Sequence, residues 1–400
     1  MSSAISKRMA GLAENLRGLL DVVNTSAYAT AKRDPSICDF VFGNPHELPL
    51  AEFSEALRKW AVPQNKDWFA YKMSEPEATE VVAKTLRATR DLPFEPEHIR
   101  MTNGAFAGLA ASLGTLVDPG DEVIFISPPW FFYEVMILAA GAKPVRVRCS
   151  PETFDLDLDA IEAAVTDKTR AIIINSPNNP TGKIYPPATL SGLAEVLEDA
   201  SEAAGRPVFL LSDEAYSRIV YDGRDFPSPL SFYDHSLLIY TYGKTLLTPG
   251  QRLGYIAVSP SMPQAREVAE SLFLALALTG WAFPNALLQH ALVDIDPLSI
   301  DVAHLERKRD RMVDGLRAAG YEVHSPEGTF YLLPKSPVQD DNRFTDILAE
   351  EGVFVLPGSS MELPGYFRIS LTANDEMIDR ALPRFQRAAE RASELDGRPN

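Results

Sequence analysis

From about residue 100 onward, short runs of apolar residues alternate with longer stretches of helical spacing. The runs are Glu122 to Ser127, Lys143 to Arg148, Arg170 to Ile174, Val208 to Ser212, Leu237 to Thr241 and Leu253 to Val258. They lack a strict alternation of apolar and polar positions, which is the pattern of strands covered on both faces. Between several of them lie segments long enough for crossover helices, such as Gly104 to Val117 and Pro187 to Ala204. Strand and helix in alternation predict an α/β layer on a mostly parallel sheet flanked by helices. Asp118-Pro119-Gly120-Asp121 reads as a turn between one such helix and the next strand.

The flanks look different. Leu50 to Trp60 and Glu77 to Arg90 have helical spacing, and Phe40-Val41-Phe42 reads as a short strand ending at Gly43-Asn44-Pro45. Beyond about residue 285 the chain turns helical and charged, as in Ala303 to Ala319. Strand-like pieces follow at Thr329 to Leu333, Val353 to Leu356 and Tyr366 to Leu371. The expected division is an N-terminal arm over 1–45 that joins the small domain, a large domain over 46–285 and a smaller α+β domain over 286–400. A length of 400 residues exceeds the usual single-core size and fits that division. The longest apolar stretch, Leu272 to Phe283, is too short to span a bilayer and contains Thr279 and Gly280; a buried helix is expected there.

The net charge of −17 narrows the function classes. A duplex nucleic-acid binder needs a basic stripe, and none appears. An anionic membrane surface would repel the chain. A small-molecule site is unaffected, because a few local cations hold an anion even in an acidic protein. Cys38 and Cys149 are no disulfide framework, and the polar start of the chain has no apolar signal region, so a cytoplasmic protein is expected. The six His form no metal-binding spacing, and Gly-x-Ser-x-Gly is absent.

Functional residues in open α/β sheets gather at the carboxyl ends of strands. Four predicted strands here run into polar loops: Ser127-Pro128-Pro129-Trp130, Asn175 to Gly182, Asp213-Glu214-Ala215-Tyr216 and Thr241-Tyr242-Gly243-Lys244. Lys244 is followed by Arg252 in Gly250-Gln251-Arg252-Leu253-Gly254-Tyr255. Asn179-Pro180-Thr181-Gly182, Asp213 with Tyr216, and Phe367-Arg368-Ile369-Ser370 complete the set. In this order the motifs resemble the class I/II aminotransferases, aspartate aminotransferase-like members of the fold-type I enzymes that depend on pyridoxal 5′-phosphate (PLP). The resemblance runs from Gly43 to Arg368.

The resemblance implies a role for each residue. Lys244 forms the Schiff base with the cofactor and later moves the substrate's Cα proton; an amine attacks a carbonyl only when neutral, which desolvation or nearby cations favour. Asp213 keeps the cofactor's ring nitrogen protonated, so that the ring withdraws electrons from Cα. Asn179 and Tyr216 donate to the cofactor's 3′-oxygen, and Trp130 stacks on its ring. Gly104, Ala105 and Phe106 open a helix whose free N–H groups take the phosphate, with Arg252 and Thr241 beside them. Tyr71 resembles a tyrosine that reaches the phosphate from the other subunit, although Glu75-Pro76 occupies the place of the usual downstream glycine. Arg368 grips the substrate α-carboxylate near the Gly43 backbone and Asn179.

The implied function is transfer of an amino group from an L-amino acid to a 2-oxo acid, by a ping-pong mechanism in a homodimer. A PLP-dependent lyase, cyclase or oxidase on the same scaffold would keep every cofactor-holding residue and stays open at this point. Phe106 stands where some aspartate-using relatives carry a cation. With Phe131, Phe132, Tyr133 and Trp281 in segments expected to line the pocket, an apolar or aromatic substrate side chain is expected.

Overall fold

The computed structural model describes residues 4–396. Its strands are β1 (Cys38–Asp39), β2 (Ile99–Thr102), β3 (Glu122–Ser127), β4 (Lys143–Arg148), β5 (Thr169–Asn175), β6 (Phe209–Asp213), β7 (Ser236–Thr241), β8 (Gly254–Val258), β9 (Tyr331–Leu332), β10 (Val353–Phe354), β11 (Leu356–Pro357) and β12 (Phe367–Ser370). The main sheet has seven strands in the order β2-β8-β7-β6-β5-β3-β4. The pairings among β4, β3, β5, β6 and β7 are parallel, and β8 runs antiparallel to both β7 and β2.

The central strands are apolar at consecutive positions because both faces are covered. Phe125, Ile173, Leu211 and Ile239 join the core under the Ala105–Leu116 and Ala265–Leu278 helices. Their neighbours Ile124, Ile172, Ile174 and Leu210 pack on the opposite face under the Pro187–Ala204 helix. Gly108 sets how closely the Ala105–Leu116 helix approaches β7, since a Cβ there would lie 2.9 Å from Ile239 Cγ2. That approach brings the start of this helix to the carboxyl edge of the sheet.

The second architectural unit combines β9, β11 and β12 in an antiparallel sheet with the Val302–Ala318, Asp341–Glu350 and Asp375–Asp396 helices. Cys38 and Phe40 belong to its core, and β1 pairs in parallel with β10. The helices Ala286–His290 and Leu292–Ile295 instead pack with the large sheet, through Leu288, Leu292 and Ile295. The change of packing partner therefore falls near Ile300, later than residue 285.

The expected strand at Phe40-Val41-Phe42 lies earlier. Pairing covers Cys38–Asp39, and the Phe40 N–H still bonds Phe354 O at 2.9 Å. Pairing stops there because the Val41 carbonyl turns to accept from the Arg368 guanidinium. The expected buried helix over Leu272–Phe283 ends at Leu278, and Leu274 and Leu278 are 57% and 86% exposed. Gly280, with φ of +84°, turns the chain away. Strand β2 was not expected; it is a short edge strand. Among the described residues no helix is long and apolar enough to cross a membrane.

Gly254 faces Thr241 across the β7–β8 pairing, and a Cβ there would meet the Tyr240 carbonyl and lie 2.9 Å from Gly104 Cα. Backbone on both sides cannot yield cheaply. Replacing Gly254 with Ala should destabilise the fold by about 1–3 kcal/mol or more, read as a lower midpoint in urea denaturation. An unchanged midpoint would show that the edge is more pliable than this packing implies.

Candidate active site

Three parallel strands end side by side and place the polar groups. Asn175 closes β5, Asp213 closes β6 and Thr241 closes β7, with Asn175 and Asp213 in register. The Thr241 side chain caps the single turn Tyr242–Thr245 that carries Lys244. A cavity of about 230 Å³ opens here, lined by Ala105, Phe106, Trp130, Asn175, Asn179, Asp213, Ala215, Tyr216, Thr241, Gly243, Lys244, Pro249 and Arg252. A second cavity of about 330 Å³ shares Trp130, Asn179, Tyr216, Lys244 and Pro249 with it and adds Gly43, Asn44, Tyr331 and Arg368 among its walls. Lys244 stands where the two meet.

Asp213 is buried, and its environment fixes how it behaves. The Tyr133 hydroxyl donates to Oδ2 at 2.7 Å and the Ala215 N–H to Oδ1 at 3.2 Å. Burial pushes the carboxyl up to about 6; these two donors and the charge of Lys244 offset only part of that penalty. Glu214, the next residue, turns the opposite way and pairs with Arg90 at 2.9 Å. Asn175 ties two strand ends together: its Nδ2 donates to Asp213 O at 2.8 Å, and its Oδ1 accepts from the Asn179 N–H at 2.7 Å.

One end of the site suits a phosphate. Gly104 has φ of +82° and caps the Ala105–Leu116 helix, whose first-turn N–H groups have no carbonyl within the helix. A Cβ at Gly104 would lie 3.0 Å from Arg252 Nη2, so only glycine leaves room for the guanidinium beside the helix start. Arg252 is exposed at the cavity mouth, held by one bond from Nη1 to Pro249 O at 2.8 Å.

The other end suits a carboxylate. Arg368 is 2% exposed; Nη1 donates to Asn179 Oδ1 at 3.0 Å, Nη2 to Val41 O at 2.9 Å, and Nε has no partner. Its guanidinium lies 4.2 Å from the Tyr331 ring centroid. Burial would raise the Tyr331 phenol, but Arg368, Lys244 and a hydrogen bond from Tyr216 outweigh it and hold it below its usual range. Tyr216 is held well above that range by burial and by Tyr331. A Cβ at Gly43 would lie 2.8 Å from the Tyr331 hydroxyl, so backbone and phenol meet face to face.

The chain thus gathers Gly43, Gly104, Ala105, Phe106, Trp130, Asn179, Asp213, Tyr216, Thr241, Lys244, Arg252 and Arg368 around one pair of cavities. Tyr71 stays away: it is 91% exposed, with its ring edge-on to Phe283 at 5.7 Å. Sequence reasoning missed Asn175 and Tyr331, and it assigned Tyr133 to the pocket wall. Tyr133 lies beneath the pocket and holds Asp213. Its place on the turn after Trp130 was the available signal.

The profile of the family "Aminotransferase class I and II" matches residues 37–385. The chain belongs to the class I and II aminotransferases. The aspartate/prephenate aminotransferase of Thermus thermophilus is 32% identical over 378 residues, covering 92% of this chain and 95% of that one. An aminotransferase crystal structure from Eubacterium rectale superposes with a TM-score of 0.89 at 30% identity, covering 98% of this chain and all of that one. The aspartate aminotransferase of Rhizobium meliloti gives 0.85 at 26% identity, covering 98% of this chain and 100% of that one. This aminotransferase has the fold-type I architecture and depends on PLP. Of the two reaction classes left open by its motifs, transamination is the one its relatives support.

The raised Asp213 carboxyl has a measurable effect on stability. Between its ordinary value near 4 in the unfolded chain and about 6 in the fold, the folded state holds the extra proton. Stability from this group therefore falls as pH rises through that window. Cofactor-free Asp213→Asn should be more stable than the cofactor-free parent at pH 7.5, by up to ~3 kcal/mol, with the gap narrowing toward pH 4.5. Urea denaturation at both pH values tests this, and a gap independent of pH would refute the raised carboxyl.

Proposed function

We propose that Lys244 is the working amine of this aminotransferase and Arg368 its anchor for the substrate α-carboxylate. The observation that carries this reading is buried charge without a counter-ion. Arg368 is almost fully enclosed, has an unpartnered Nε and, among the described residues, forms no ion pair with a carboxylate. An uncompensated guanidinium in such a place is costly unless an anion arrives to complete it.

When bound, PLP supplies the electron sink for the pair left at substrate Cα. The residues present fit it. Asp213 would face its ring nitrogen, Trp130 the flat of its ring, and Asn179 and Tyr216 its 3′-oxygen. The N–H groups at Gly104, Ala105 and Phe106, with Thr241 and Arg252, would take its phosphate. Arg368, Asn179 and the Gly43 backbone hold the substrate carboxylate at the other end, so Cα is presented at Lys244. Nζ of Lys244 removes the Cα proton and holds it for delivery. The Tyr216 and Phe330 rings flank the amine, 5.6 and 5.8 Å from Nζ. Water supplies the oxygen as the amino acid leaves as its 2-oxo acid; the amino nitrogen stays in the site and passes to a second 2-oxo acid, whose oxygen leaves as water.

The working unit we propose is a homodimer. Phe69, Tyr71, Met73, Leu274 and Leu278 are exposed apolar side chains, between 53% and 91% accessible. Phe283 joins two parts of that surface, meeting Tyr71 edge-on and stacking with Phe273 at 6.3 Å. A surface of this kind calls for a partner. A second copy related by a two-fold axis would cover it and bring Tyr71 to the opposite phosphate end. The cytoplasm is the proposed location, supported by two buried free thiols, Cys38 and Cys149.

Two measurements test these roles. Lys244→Ala should lose turnover by at least about a thousandfold while keeping the fold by circular dichroism; substantial residual transamination would refute the assignment. Tyr71→Ala should bind PLP more weakly. Mixed with Lys244→Ala and allowed to exchange subunits, it should recover roughly a quarter of parental activity, because half the dimers are mixed and each has one complete site. No recovery would place Tyr71 outside the partner's site.

A further inference from the structure

We infer that the substrate side chain is uncharged, aromatic or bulky apolar, and that the site is not built for a second carboxylate. The inference rests on the aminotransferase reading and on Arg368 as the α-carboxylate anchor.

The cations come first. Among the described residues, Lys244, Arg252 and Arg368 are the Lys and Arg that line the two joined cavities. All three are already committed, Lys244 as the amine, Arg252 to the phosphate and Arg368 to the α-carboxylate. Among the described residues the one carboxylate in the walls is Asp213, which the cofactor's ring nitrogen would take up and which offers a side-chain carboxylate no partner. A distal carboxylate would therefore lose its water without gaining an ion pair, which is strongly unfavourable.

The wall itself is aromatic. Phe106 meets Trp130 at 5.4 Å and Phe132 at 5.0 Å, both edge-on, and Trp281 backs it at 6.1 Å. The Asn103 side chain donates to Trp281 O at 2.7 Å and pins this wall to the residue before Gly104. Phe106 and Trp130 line the cofactor-side cavity with Phe132 and Trp281 packed behind them, and on the Arg368 side Phe42 and Phe131 leave apolar surface for a ring or a branched chain.

A second copy does not reverse this balance. The surface that would meet it is the Tyr71 loop with the Leu274 to Phe283 segment. No Lys or Arg lies between Arg266 and Arg307. On the loop side, Lys66 pairs with Asp67 at 2.8 Å and Lys72 with Glu75 at 3.2 Å. The patch brings apolar side chains and cations already neutralised within their own chain.

The test uses the PLP-loaded enzyme and one amino acid at a time: phenylalanine, leucine, aspartate or glutamate. Loss of the visible absorbance of the bound cofactor is followed by stopped flow, at concentrations well below saturation. Phenylalanine or leucine should exceed aspartate and glutamate by at least about tenfold in rate. Aspartate equal to or faster than both overturns the inference and leaves transamination standing. Conversion by none of the four overturns the transamination reading, and this inference with it. Phe106→Lys supplies a cation in the wall and should move the aspartate-to-phenylalanine ratio at least about tenfold toward aspartate. An unchanged ratio in a variant that still reacts would remove Phe106 from the specificity wall.

Discussion

Positive charge without protein counter-ions organises this active site. Among the described residues the buried cations other than Arg368 are paired with carboxylates, Lys308 with Glu47 and Arg309 with Asp222. At the carboxyl edge of the sheet that pairing is missing: Arg252 and Arg368 flank Lys244, and among the described residues the only carboxylate in the cavity walls is Asp213. A chain of net charge −17 keeps this small cationic region by shape. Gly104 makes room for Arg252, Gly43 lets the backbone meet Tyr331, and Asn179 presents an oxygen to Arg368. Each device holds a guanidinium in place while leaving part of it open to an anion.

Asp213 shows the same economy with the opposite sign. It is buried where its charge is disfavoured, and a phenol and a backbone N–H steady it without neutralising it. A carboxylate prepared in this way gains most when a protonated ring nitrogen comes to face it. The strand ends supply the rigidity: Asn175 bonds to both Asp213 and Asn179, so neighbouring strands position the two groups jointly.

Much of this was legible in the chain before the fold was seen. The strands that carry the site are continuous apolar runs, and burial on both faces leaves that mark. Lys244, Asp213 and Asn179 come soon after such runs, so their convergence follows from a parallel sheet, and Arg252 joins them because it precedes β8, which runs the other way. What was not legible depended on direction. Tyr133 sits among aromatic residues, and nothing in its neighbours tells that its hydroxyl turns under the sheet to Asp213. Tyr331 lies on a short strand whose role appears only when Gly43, more than two hundred positions away, meets its hydroxyl. Strand β2 is four residues long, and the Leu272–Phe283 run hides a helix end that only the turn at Gly280 reveals. Tyr71 is exposed in the single chain and lies outside the walls of both cavities.

The pairing of β1 with β10 bears on how the molecule can move. That pairing and the Val41 carbonyl's bond to Arg368 join the N-terminal segment to the C-terminal core, so Gly43 and Arg368 sit on one structural unit. Lys244 and Asp213 belong to another, the main sheet. The bond from Arg368 to Asn179, which Asn175 anchors to the main sheet, spans the two units, so a hinge motion between them would strain or break it. Through Asn179 and Asn175 the Arg368 guanidinium is mechanically coupled to the strand end that carries Asp213, so the two ends of the cavity pair cannot shift independently.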